Sequence, residues 1–309
     1  MAERDYKLGI FYTLSAYTLW GVLPLYWKVI QDVPAGEILA HRIVWSFLLM
    51  LAIVLVTRNG KELLQETKAL LKNKKKTIGI TLASLTISVN WLTYIWAVNA
   101  DHVVEVSLGY YINPLISIVL GMLVLKEKLS PWQVVSFVLA GIGVANLIFQ
   151  FHQVPWVALL LAFSFGTYGL LKKQIQLSSM FGLTIETLIV TPIALLYLVQ
   201  SGPASFTIST VVTALLIGAG VMTAIPLLFF ASGARRIPLS MVGFLQYIAP
   251  TLMLLLGVFL YKEPFTETHL VSFLFIWSAL IIYSLSRTKA FIYIEQKLFP
   301  RQKSAEQNI

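Results

Sequence analysis

The stretch GEILAHRIVWS, residues 36–46, sets Glu37, His41 and Arg42 at the head of an apolar run, LLMLAIVLV. Ionisable groups inside a membrane-spanning segment are expensive and mark function by default. Glu37 and His41 stand four residues apart and share a helix face. His41 can exchange a proton near neutral pH, though a hydrogen-bonded structural histidine fits equally. Arg42 follows Gly36 by six residues, roughly 9 Å along a helix. It can snorkel to the interface or serve an outer gate. Glu37 itself is expected at the solvated end. Glu186 is the one acid well inside a later apolar run. Its ionisation needs a partner or water, which makes it a proton-coupling candidate. A span starting later would leave it at the interface instead. Trp20, His41, Arg42 and Glu186 form the set of gate or coupling candidates.

A second set could hold a molecule. Asn90, Trp91 and Tyr94 fall on one broad helical face. Aromatic walls with amide handles suit amphipathic compounds; helix packing by amides is the alternative. Tyr110, Tyr111, Asn113 and Pro114 resemble Gln246, Tyr247 and Pro250 further on. A proline removes a backbone donor and can kink a helix, freeing carbonyls beside these polar side chains. WGVLP at 20–24 is expected to be a third break, with Pro192 and Pro226 as possible hinges.

Other chemistries find no residues. There is no cysteine, so no disulfide, iron–sulfur or thiolate site. The sequence has no HExxH and no G-x4-GK[ST] loop. No cofactor and no metal are expected, and no acid pair suggests an enzyme.

The elements that carry these residues are apolar. Hydrophobic residues make up 58% and charged residues 12%, against roughly 45–50% and 25% in soluble domains. Long unbroken runs argue for helices over a β-barrel. Ten segments meet the membrane-span length: 8–28, 36–57, 77–98, 104–125, 132–150, 154–171, 180–199, 209–231, 239–260 and 267–286. With both termini cytoplasmic, twenty of the 23 Lys and Arg lie inside, as the positive-inside rule asks. The net charge of +9 therefore speaks for topology rather than nucleic acid. The basic loop 58–76 reads either as a helix on the anionic leaflet or as a solvated loop.

YINPLISIVLGMLVLKEKLSPWQVVSF from Tyr111 and YIAPTLMLLLGVFLYKEPFTETHLVSF from Tyr247 coincide at ten of 27 positions, at a constant offset of 136. Pro114 aligns with Pro250, Gly121 with Gly257, and Lys126-Glu127 with Lys262-Glu263. Five spans is an odd number, so the halves cross in opposite senses. The expected fold class is an all-α polytopic membrane protein, ten transmembrane helices in two five-helix inverted-topology repeats. The first repeat takes 1–150, the second 151–286, and 287–309 is a cytoplasmic tail.

The G-x4-KE turns closing spans four and nine resemble the EamA type of the drug/metabolite transporter superfamily. AHRIVWS (40–46), NWLTYIWAVN (90–99), SLGYYINPL (107–115) and ARRIPLSMVGFLQYIAPTL (234–252) resemble its RarD subfamily, named for chloramphenicol sensitivity. The resemblance covers nearly the whole chain. It implies a multi-pass carrier of the inner cell membrane without ATPase parts. The superfamily moves amino acids, sugars, nucleosides, cations and drugs. The expected function is secondary transport, as an exporter of a small metabolite or amphipathic compound by alternating access. Its partners are the lipid bilayer, a small-molecule substrate and a proton or other ion gradient, with no nucleic acid. A channel or membrane scaffold is the alternative, and an intramembrane enzyme a further one.

Overall fold

The computed structural model describes residues 2–30, 32–99, 103–149, 155–201, 205–260, 267–286 and 288–298. The Lys262-Glu263 turn and residues 299–309 lie outside them. Among the described residues the fold is all helical. The helices are α1 (Ala2–Val22), α2 (Pro24–Val29), α3 (Ala35–Val56), α4 (Gly60–Lys72), α5 (Lys74–Asn99), α6 (Val103–Val124) and α7 (Pro131–Phe149). They continue as α8 (Trp156–Ile175), α9 (Ser179–Ser201), α10 (Thr210–Ala234), α11 (Leu239–Gln246), α12 (Ile248–Leu255), α13 (Glu267–Leu285) and α14 (Lys289–Leu298). Seven stretches are long and apolar enough to cross a membrane, and Leu108–Val124 is a shorter apolar one. Of the expected spans, α5 and α8 fall below that measure. The first opens on Lys74–Lys76 and carries Thr, Ser and Asn, and the second ends on Lys172 and Lys173.

Prolines act unequally. WGVLP does break the chain, at Leu23 between α1 and α2, where Pro24 takes the first helical position and forfeits no helical bond. A second break falls at Tyr247, so Pro250 lies in the first turn of α12. The matching break at Pro114 is absent: α6 runs through it, as α9 and α10 run through Pro192 and Pro226. Packing holds α6 in place. Gly243 of α11 sits so close that an added Cβ would lie 2.7 Å from the Pro114 carbonyl oxygen.

The basic loop is helical. In α4, Leu70 is buried while Lys61, Lys68 and Lys72 are exposed, the pattern of a helix lying along a surface.

Packing is reciprocal between early and late helices. α6 packs on α8 as α1 packs on α11 and α12; α5 packs on α8 as α10 packs on α1. α3 packs on α10 as α5 packs on α9. α3 with α9, α6 with α11, and α7 with α13 close the set. The largest core cluster threads the middle, with Tyr17, Tyr168, Phe230 and Phe244 nearly solvent-free.

Candidate functional site

A cavity of about 280 Å³ lies between the early and late helices. It occupies the end of the bundle at α2 and the starts of α3, α6 and α8. Arg42, Asn90, Trp91, Tyr94, Tyr110 and Asn113 line it from one side, and Thr223, Gln246 and Pro250 from the other. Trp20 forms part of the floor. Tyr111, Pro114, Tyr247, His41 and Glu186 are not among its lining residues. Helical rotation explains the first of these: one residue turns a side chain by about 100°. Tyr110 and Asn113 face the cavity, while Tyr111 packs edge-on against Phe273 at 5.3 Å. The Tyr247 hydroxyl is buried with no partner among the described residues.

Arg42 does not snorkel outward. Its Nε donates to Thr223 Oγ1 at 2.9 Å, across to α10. Its guanidinium carbon lies 4.8 Å from the Trp27 ring centre and 5.2 Å from that of Trp91. Each such contact contributes about 2 kcal/mol when desolvated. Asn90 is fixed by Nδ2 donation to Leu161 O and Ser164 Oγ. Tyr17 donates to Gln246 Oε1 at 3.4 Å, tying α1 to α11.

The rest of the opening motif builds structure. Gly36 abuts the Tyr197 hydroxyl. Glu37 is buried, not solvated. Its Oε1 accepts from the Ser205 and Phe206 amides at 3.0 and 3.2 Å, so it anchors the turn that precedes α10. His41 stacks on Phe206 at 4.8 Å, and its Nε2 has no hydrogen bond among the described residues. Glu37→Ala should cost about 1.5–3 kcal/mol, the loss of charge-assisted bonds to amides. Thermal unfolding in detergent reads this out.

The opposite end, where the chain starts, is shut. Glu127 accepts from the Leu239 and Ser240 amides at 2.6 and 2.9 Å, closing the α6–α7 turn over the α11 N-terminus. Lys173 donates to Ile237 O and lies 3.8 Å from Glu127. Tyr6 donates to the Met241 sulfur, and Arg236 pairs with Asp5 at 3.0 Å. Above this closure, rings from α1, α8 and α10 pack together. Phe230 touches Tyr17, Trp20, Phe165 and Tyr168 at 5.2–6.2 Å between centres.

Glu186 is the partner of Lys172, at 2.7 Å, and accepts from the Tyr168 hydroxyl at 3.1 Å. The pair is buried against the ring cluster at Tyr168; Glu186 does not line the cavity but a small hollow that shares Trp91 and Leu227 with it.

The model of the EamA-like transporter family matches residues 7–149 and again residues 154–285. The chain belongs to that family. An uncharacterized transporter YojE of Bacillus subtilis (strain 168) is 50% identical over 292 residues, covering 94% of this chain and 97% of that protein. Protein RarD of Escherichia coli (strain K12) is 41% identical over 287 residues, covering 92% and 96%. A solved crystal structure covering 90% of this chain and 97% of its own superposes with a TM-score of 0.70 at 16% identity, a likeness of fold. This EamA-family chain, of the RarD branch, is thus a multi-pass membrane protein.

Sequence reasoning missed several walls of this EamA-family cavity. Trp27, Phe165 and Thr223 line it, yet aromatic and hydroxyl residues inside apolar runs carry no separate signal. Lys172 is one of the twenty basic residues expected on the inner side, and its spacing to Glu186 across the α8–α9 hairpin is the available hint of their pairing.

Proposed function

We propose that the protein is a secondary transporter that exports a small metabolite or amphipathic compound by alternating access. Its ten helical rods form two inverted five-span halves, 1–150 and 151–286, and both termini are cytoplasmic. The observation that supports this reading is the cavity lined by α3, α5 and α6 opposite α10, α11 and α12, with the other end of the bundle tied together at Glu127 and Lys173. The twofold family match and the reciprocal helix packing support the repeat. A carrier built this way exposes its site by rocking one half against the other. The structure then corresponds to an outward-facing state.

Flux in proteoliposomes tests the reading. Saturable transport with counterflow is expected. Linear, non-saturable flux would indicate a channel, and no flux for every substrate class tried would indicate a scaffold. The driving force in this reading is a proton or other ion gradient, with Glu186 the first acid to examine. Because removing Glu186 alone strands Lys172, the informative variant is the double replacement Lys172→Met with Glu186→Gln. Loss of pH-gradient-driven accumulation is expected; unchanged accumulation takes Glu186 out of the cycle.

A further inference from the structure

We propose that the cavity takes an organic monoanion, a carboxylate on a flat apolar body, gripped through Arg42. The use of the site rests on the transporter reading above; its preference for negative charge rests on the cavity itself. Arg42 is the one Lys, Arg or His among the described lining residues, and no Asp or Glu stands among them. No described carboxylate lies within ion-pair distance of Arg42. Glu37, on the same helix as Arg42, is committed to the Ser205 and Phe206 amides, and the more distant Glu186 and Glu127 to Lys172 and the α11 amides. Among the described residues the guanidinium is a cation held in a low-dielectric wall without a counter-charge, which favours an incoming anion.

Geometry narrows the ligand. Thr223 occupies the Nε donor, and the Trp27 and Trp91 indoles cover the guanidinium. Nη1 and Nη2 donate to no described protein acceptor. That leaves the paired-donor edge, which matches the two oxygens of a carboxylate. Tyr94 and Tyr110, 6.4 Å apart between ring centres, also line the cavity and donate to no described acceptor. Asn113, only 4% exposed, also lines the cavity, and its buried Oδ1 has no partner among the described residues. This side of the cavity therefore offers two tyrosine hydroxyls that can donate and, among the described lining residues, one positive charge. Trp20, Trp91 and Phe165 supply flat apolar walls for the remainder of the molecule. An ammonium would meet Arg42 with like charge and find no acid among the described lining residues.

The test holds the body constant and changes the charge. Purified full-length protein in detergent is titrated calorimetrically with 3-phenylpropanoate, 3-phenylpropanamide and 3-phenylpropylamine, an anion, a neutral amide and a cation. The carboxylate is expected to bind about tenfold tighter than the amide, or better, with the amine weakest. Arg42→Gln should bring the carboxylate to the level of the amide, and Arg42→Lys should keep a reduced preference. If Arg42→Gln does not fold, the charge series on the unaltered protein decides alone. Equal binding of the three, tighter binding of the amine, a carboxylate preference that survives Arg42→Gln, or no binding of the carboxylate at about 10 mM overturns the proposal. The two readings fail separately. Arg42-dependent carboxylate binding without counterflow would leave the anion site standing and remove the carrier. Saturable counterflow of neutral or cationic compounds, with carboxylates inert, would do the reverse.

Discussion

Lys172→Met should destabilise the protein by about 3–5 kcal/mol, the range for a buried charge left without its partner. The pair is 2.7 Å apart, with side chains 6% and 3% exposed. Removing the ammonium leaves the Glu186 carboxylate only the Tyr168 hydroxyl, and hydrocarbon around the bundle offers no water to repay the loss. Glu186→Gln should cost a similar amount for the mirrored reason. The double replacement should cost clearly less than either single change, because no charge is then stranded. Unfolding in mixed micelles of increasing SDS content measures all three. Single variants within about 1 kcal/mol of the parent would mean that water reaches the pair.

Gly220→Ala should cost about 1–3 kcal/mol through overpacking. An added Cβ would stand 2.4 Å from Trp45 Cβ, 2.5 Å from the Trp45 carbonyl carbon and 2.7 Å from Ser46 N. Two of those atoms are backbone, so α3 itself must move away from α10. That shift would also strain the Ser46 Oγ bond to Gly220 O, now 3.0 Å. It would draw Arg42 away from Thr223, so the change should weaken ligand binding as well as stability. Gly141→Ala is the control. Nothing lies within 4 Å of its added Cβ, and helix propensity alone predicts a gain of up to about 1 kcal/mol. Thermal unfolding and ligand titration on the two variants should move in opposite directions or differ by the whole clash.

Much of this arrangement is legible in the sequence. Polar residues stand out against apolar runs, so Asn90, Tyr94, Asn113 and Gln246 were singled out, and each lines the cavity. The helix ends followed from run length and Lys/Arg placement. What escaped had no contrast or depended on tertiary approach. Trp27 and Phe165 look like ordinary apolar lining. Glu37 looked solvated because its acceptor role needs the turn at Ser205, far off in sequence. Pro114 and Pro250 look equivalent in sequence, yet only the chain at Tyr247 breaks. The straight helix is the one with a close neighbour, Gly243 packed against the Pro114 carbonyl.

Arg42 without an acid partner also has an electrical consequence. Lys172 and Glu186 cancel, so among the described residues the net charge that the empty site carries is that of one guanidinium. A bound monoanion neutralises it. Membrane voltage, at about 2.3 kcal/mol per elementary charge per 100 mV, would then do little work on the loaded crossing and act instead on the empty return. The voltage dependence of turnover would report which half of the cycle limits the rate.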